Sequence, residues 1–367
     1  MNVEKLHKIL VELQKEFDKH NLLTQLQAVR QNLTNQVNSP QEPSYQTNLV
    51  NSLNELKENL NNSAFNNFSP SWKQVVEEIG GQELFGQELE SRITEIFNRN
   101  QITPASALAD ISKITTEVEQ LKTAIDELIS GFVKLHIGKE NLLPGQCELG
   151  YSIPRLVIEN KLSTFSKEVA ELNFILGTIS EAVDGKKEDF DIKTISSSDF
   201  LLYVIIGLQV ADVLSNAIEK IINNYKTILE IKILRNQLKE KGVPETATKE
   251  IEEHANSSME DVIRKIAHEV ITQYHKGEDS GRKNELENAT VIALNKIANR
   301  IDKGFNLEVR VESLPALTEK NKDDKEYVAK LTSIANIQKH SKSLEYINTS
   351  GKPILMLNEA LIPKQKK

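Results

Sequence analysis

The chain has 367 residues, enough for one large domain or two to three modest ones. Glycine and proline together make up about 7% of it, against ~12% on average, so long helices are expected rather than a many-stranded sheet. Aromatic residues are 5% and the net charge is −8. These values argue against an aromatic-lined carbohydrate or base-stacking surface and give no strong nucleic-acid signal.

The lone cysteine, Cys147, excludes an intrachain disulfide framework and a Cys-cluster metal site. The opening MNVEKLHKIL is charged within five residues and lacks an apolar signal core, so a cytoplasmic location is expected. Hydrophobic residues make up 39%, enough for a real core.

In chain order, Leu6, Leu10, Leu13 and Phe17 form one helical stripe, and Leu26, Val29 and Leu33 a second after His20-Asn21. Pro40 and Pro43 mark a loop. A polar helix is expected over 47–60. Ser69-Pro70 opens a short helix stopped by Gly80-Gly81, and another helix follows to about 98.

Thr103-Pro104 opens the cleanest pattern in the chain. Leu108, Ile111, Thr115, Val118, Leu121, Ile125, Leu128, Phe132 and Leu135 lie close to a heptad seam. A second seam runs through Ile158, Leu162, Phe165, Val169, Leu172, Leu176 and Ile179. The connector from Gly138 to Arg155 is long enough for antiparallel pairing within one chain. An intermolecular coiled coil fits the same pattern.

Residues 185–198 read as irregular or briefly extended. Asp199 or a nearby serine is expected to cap a helix over 199–240, ended by Gly242-Val243-Pro244. Helices over 245–256 and 258–276 follow, the second starting at Asn256-Ser-Ser258. A further helix runs from about 280 to Gly304. Phe305 to Glu312 alternates and reads as a strand. The charged run 319–326 reads as a linker and 325–339 as a helix. Residues 344–348 and 353–357 read as a hairpin, with a disordered basic tail from Pro363.

The expected fold is mainly α: an elongated bundle with long antiparallel coiled-coil-like helices and a small C-terminal β element. The expected division is an N-terminal helical region over 1–100, a long-helix core over 101–304 and a small α+β element over 305–367.

One resemblance rests on Leu149-Gly-Tyr-Ser-Ile-Pro-Arg155, Thr194-Ile-Ser-Ser-Ser-Asp199, Gly242-Val-Pro244, Glu253-His-Ala-Asn256 and Asn299-Arg-Ile-Asp302. From Glu148 to about Glu312 the chain resembles an uncharacterised family of bacterial helical proteins. The resemblance implies a recurring module and brings no activity, ligand or catalytic residue with it.

Candidate chemistry is sparse. His254, Asp261, His268 and His275 recur at seven-residue intervals, which invites a metal site. A break at 256–258 would remove His254, and one-helix spacing of about 10 Å is too wide for a single ion. A solvated helix face is the expected reading, with no metal and no cofactor. His275, Lys276, Asp279, Arg282 and Lys283 gather beside a helix N-terminus, the first place to look for a small anion. Glu250, Glu252 and Glu253 beside His254 suggest general acid–base work, but helices commonly expose such glutamates. Cys147 falls in the connector without a located base.

The apolar run Phe200, Leu201, Leu202, Val204, Ile205 and Ile206, continuing to Ala211, is too short to span a bilayer, which takes about 20 residues. The expected reading is the most buried helix of a bundle. The alternative is a segment that enters a membrane only after a conformational change. The sequence therefore points to a non-enzymatic scaffold or sensor, acting through a protein partner or self-association, in a setting such as a bacterial defence or toxin-associated system. A membrane-active or pore-forming effector exposing 200–211 is the alternative.

Overall fold

The computed structural model describes residues 3–196, 200–242, 249–275, 279–317, 323–344, 346–347 and 352–360. It is mainly helical with one small antiparallel sheet. The chain divides into two units, Met1–Asn141 and Leu142–Lys367.

The first unit holds α1 (Val3–His20), α2 (Leu22–Asn38), α3 (Pro43–Asn61), α4 (Pro70–Glu78), α5 (Gly86–Arg99) and α6 (Pro104–Lys134). Prolines stand at the first turn of α3, α4 and α6, where no N–H is needed. Asn21 adopts a left-handed conformation (φ 47°) and separates α1 from α2. The core joins Leu10, Leu13, Leu26, Val29, Leu56, Phe65, Phe85 and Ile93 to Ile111, Ile114, Val118 and Ile125 of α6.

The second unit is a four-stranded sheet in the order β2-β3-β1-β4, with β1 (Cys147–Ser152), β2 (Ile192–Ser196), β3 (Leu201–Ile206) and β4 (Asn306–Val311). Its helices are α7 (Arg155–Ile158), α8 (Leu162–Asp184), α9 (Leu208–Glu240), α10 (Lys249–Tyr274), α11 (Ser280–Asp302) and α12 (Lys325–Lys342). Cys147, Leu149 and Tyr151 of β1 alternate into the core with Leu202, Val204, Ile206, Leu307 and Val309. The buried faces of α8, α9, α10 and α11 complete it.

Several sequence expectations change. The division falls at 141/142 because α6 is buried against α1 and α2, while β4 and α12 belong to the second unit. The two heptad-like seams each pack within their own unit: α6 with α1, α2 and α5, and α8 with α9, α10 and α11. The buried residues of the two seams belong to two separate cores.

The run 200–211 is not one helix. Phe200 is in a turn, Leu201 to Ile206 form the inner strand β3, and α9 starts at Leu208. β1, which the connector reading missed, pairs with both β3 and β4. The helices over 245–256 and 258–276 are one helix from Lys249, because Asn256 keeps its place in the helical ladder. Asp199, Val243, Pro244 and the tail from Leu361 lie outside the described residues, as does the first half of the charged run, 319–322.

The hairpin expected over 344–357 is replaced by something different. Residues 353–359 belong to no helix or strand, and among the described residues they pair with no strand. Their backbone groups go to side chains of α9, α10 and α11.

Candidate functional site

The C-terminal half of α11 is deeply buried. From Ile292 to Asp302 every residue is buried, polar ones included. A helix with Asn295, Lys296, Asn299, Arg300 and Asp302 in its last turns would ordinarily show that stripe to water. Here residues 352–360 cover it.

Asn295, Asn299 and Asp302 stand at i, i+4 and i+7, on one face of α11. Seven helical residues rise about 10 Å. Three extended residues cover the same length, at about 3.3 Å each. The segment runs antiparallel to α11, so this face meets Leu355, Leu357 and Asn358 in turn.

At the Asp302 end, Oδ2 accepts the N–H of Ile354 at 2.5 Å and of Leu355 at 2.7 Å. Its Oδ1 accepts from Lys232 Nζ at 2.9 Å and from Tyr225 Oη at 2.6 Å. Lys232 is 0% exposed and Asp302 1%, so this ion pair sits wholly inside the protein. Burial, with Asp302 reinforcing it, pushes the Tyr225 hydroxyl well above its ordinary value, so it stays protonated and donates.

In the middle, Asn299 reads both backbone groups of Leu357. Its Oδ1 accepts the N–H at 3.1 Å and its Nδ2 donates to the carbonyl at 3.0 Å. Asn256 of α10 does the same across two residues, accepting from Met356 N at 2.7 Å and donating to the Ile354 carbonyl at 3.1 Å. Asparagine is suited to this because one side chain carries both an acceptor and donors. Arg235 Nη2 donates to the Lys352 carbonyl at 2.6 Å, and Asn295 Nδ2 to the Asn358 carbonyl at 2.7 Å.

Four consecutive N–H groups, 354 to 357, are thus donated to side-chain oxygens. Pro353 just before them has no N–H to satisfy. Ile354, Leu355 and Leu357 are buried in the core, while Met356 is 81% exposed.

The far end is electrostatic. The Glu359 carboxylate accepts from Asn299 Nδ2 at 2.7 Å and lies 3.5 Å from Lys296 Nζ and 3.6 Å from Arg300 Nη1. Burial raises its pKa, but the Asn299 hydrogen bond and the Arg300 and Lys296 charges outweigh that and hold it below the ordinary value. Arg300, 4% exposed, also pairs with Glu168 of α8 at 2.9 Å. Burial disfavours its charge, but the neighbouring Tyr151, Glu168 and Glu359 more than compensate and raise its pKa.

Two hollows flank the segment. One of about 380 Å³ lies where Ile354 and Met356 meet Glu252, Asn256 and Glu260. The other, about 470 Å³, lies at the Asn358 and Ala360 end, with Phe174, Ile292 and Arg282 in its lining.

Of the sequence-derived candidates, Arg282 lines the larger hollow and Glu252 and Glu253 the smaller one, but none of them bonds to the segment's backbone among the described residues. Asp279 caps α11, accepting from Gly281 N and Arg282 N, so the chain's own carboxylate sits at that helix N-terminus. Arg282 turns to Glu181 and Glu285. Lys283 donates its backbone N–H to the Asp279 carbonyl at 2.9 Å, His275 donates its own to the Ile271 carbonyl at 3.1 Å, and Lys276 lies outside the described residues. His254, Asp261 and His268 are exposed, and His268 contacts Glu287 at 3.2 Å. Among the described residues, no group of three or more histidine, cysteine or acidic side chains is placed to hold a metal ion. Cys147 opens β1 rather than a loop. Burial, with Asp212 adding to it, pushes its thiol up to about 12, which disfavours the reactive thiolate. Leu202, Val204 and Ile206 face the core from β3. No helix among the described residues is long and apolar enough to cross a membrane.

Periodicity alone passed over the groove residues. The available signal was Asn295-Lys-Ile-Ala-Asn-Arg-Ile-Asp302, a polar stripe on a helix whose other face is fully apolar. Asn256, Asn299 and Asp302 converge here on one segment of the chain. No protein-family model matches the chain, and no curated protein and no solved structure is significantly similar to it.

Proposed function

We propose that the chain is a non-enzymatic association factor whose second unit carries a groove for an extended peptide, with its own segment 352–360 as the resident occupant. One observation carries this reading: the segment's backbone is satisfied by side chains from three helices. Elements that only complete a fold usually pair backbone with backbone. A surface that offers Asn256, Asn299 and Asp302 to successive peptide groups instead has the chemistry of peptide recognition. Main-chain hydrogen bonds supply affinity, and pockets for alternate side chains supply selectivity.

The selectivity expected from the occupant is apolar at 354, 355 and 357, unrestricted at 356 and acidic at 359. Nothing comparable supports a membrane-active role, since exposing 200–206 would break the ladders on both sides of β3. The uncharacterised bacterial family and a defence or toxin-associated setting remain part of the proposal, as does a scaffold or sensor role.

The test is a labelled peptide with the sequence of residues 352–360, titrated against a full-length Leu355→Asp/Leu357→Asp variant whose own segment no longer fits. Saturable binding that disappears when Asn256→Ala and Asn299→Ala are added is the expected result. Absence of saturable binding to the folded variant would refute the groove. Turnover of ATP, GTP, NAD or nucleic acid that a His268→Ala or Arg282→Ala variant abolishes would contradict the non-enzymatic reading.

A further inference from the structure

We infer that the groove on α10 and α11 accepts segment 352–360 from a second copy of this chain, so that two copies associate by exchanging this segment. The inference rests on the peptide-groove reading above and names the partner.

The groove is matched to this segment along its length. Asp302 takes the adjacent N–H groups of Ile354 and Leu355, and Pro353 before them has no N–H left to satisfy. The interior takes Ile354, Leu355 and Leu357 but leaves Met356 in solvent. Lys296 and Arg300 then neutralise an acid two residues beyond the last apolar contact, where Glu359 stands. A second copy is a partner that carries every one of these features in the required order.

The contacts to the segment are also of an exchangeable kind. They come from side chains and apolar pockets, with no shared β-ladder to unzip. The same hydrogen bonds form whether the segment arrives from its own chain or from another, so exchange conserves the bonding and differs mainly in entropy. A tethered segment competes at an effective concentration in the ~mM range. Unmodified chains at micromolar concentration are therefore expected to stay closed, and exchange appears where the internal contact is weakened or the chain is concentrated.

Two full-length variants separate exchange from simple folding. One, Asn256→Ala/Asn299→Ala, keeps an intact segment over a disabled groove. The other, Leu355→Asp/Leu357→Asp, keeps an intact groove and a disabled segment. Circular dichroism establishes that each is folded, and sedimentation velocity reads the mass of each alone and of the mixture. The expected result is a species of two chains in the mixture and in neither variant alone. That species should be dispersed by excess peptide of sequence 352–360.

A mixture that stays at single-chain mass, while the labelled peptide binds the Leu355→Asp/Leu357→Asp chain, would overturn the second-copy occupant and leave the peptide groove standing. Loss of both signals would overturn the groove itself. Should the aspartate variant be misfolded, a protease site inserted within 348–351 and cut after folding turns the unaltered segment into a free peptide, which dilution and dialysis then remove from the groove. Should the alanine pair be misfolded, Asn299→Ser alone replaces it. The same mixing experiment then applies, with the same two readings.

Discussion

At the residue scale, Asp302 is the point on which the groove turns. One carboxylate neutralises the buried Lys232, accepts from Tyr225 and anchors two peptide N–H groups. Removing one partner of a buried ion pair costs about 3–5 kcal/mol, because the other charge is left without compensation. Asp302→Ala should therefore lower the stability of the second unit by about that amount in denaturant titration. Adding Lys232→Met should recover only part of the loss, since the N–H groups of Ile354 and Leu355 would still lack an acceptor. Full recovery would show that the segment contributes little at that end.

Glu359 gives a second test at this scale. Its pKa is held below the ordinary value in the folded chain. A lowered carboxylate contributes stability that is fully present above its unfolded value and is lost as pH falls through the folded value. Attachment of the segment should therefore be constant near neutrality and weaken below about pH 4, in the range of ordinary carboxylate titration. In a Glu359→Gln variant this part of the acid response should be absent. A tryptophan placed at exposed Met356 would report it by fluorescence. An unchanged acid profile in Glu359→Gln would separate the carboxylate from segment attachment.

Among the elements, the long helices were legible because proline at a first turn and an apolar stripe mark them independently. The starts of α4 and α6 carry that proline, whereas Pro43, read as part of a loop, in fact opens α3. The short strands were harder. Leu201 to Ile206 is a continuous apolar run, which periodicity cannot distinguish from a buried helix. Its six-residue length, its Val, Ile and Tyr content and the following Gly207 were the cues that favoured a strand. β1 alternates correctly but is brief and contains Gly150. A Cβ there would come within 2.8 Å of the Glu308 side chain, so the glycine marks close packing rather than a turn. Leu202→Asp should place an unpaired charge in this core and abolish the cooperative melt of the second unit. An unchanged melting temperature would mean that β3 does not hold the position described.

On the scale of the whole molecule, the unit boundary and the groove share a reason for escaping the sequence reading. Both depend on which long-range partner covers an amphipathic surface, and composition carries no record of that. The seam of α6 specified a helix face but not its partners α1 and α2. The polar stripe of α11 specified a face that needed satisfying, but its occupant lies about sixty residues further along the chain. Hydrophobic patterning read 353–357 as one arm of a hairpin, whereas these residues join no strand among the described residues. The error lay in supplying them with a strand partner when their partners are helical side chains.

The central claim is that segment 352–360 is a docked, separable occupant rather than an inseparable part of the core. Amide hydrogen exchange on the unmodified full-length chain tests this most directly. The N–H groups of 354 to 357 should be protected and should exchange together through one shared opening. That opening should require less free energy than the amides in the middle of α11. Exchange of the four only with global unfolding of the second unit would contradict the claim, as would no protection at all.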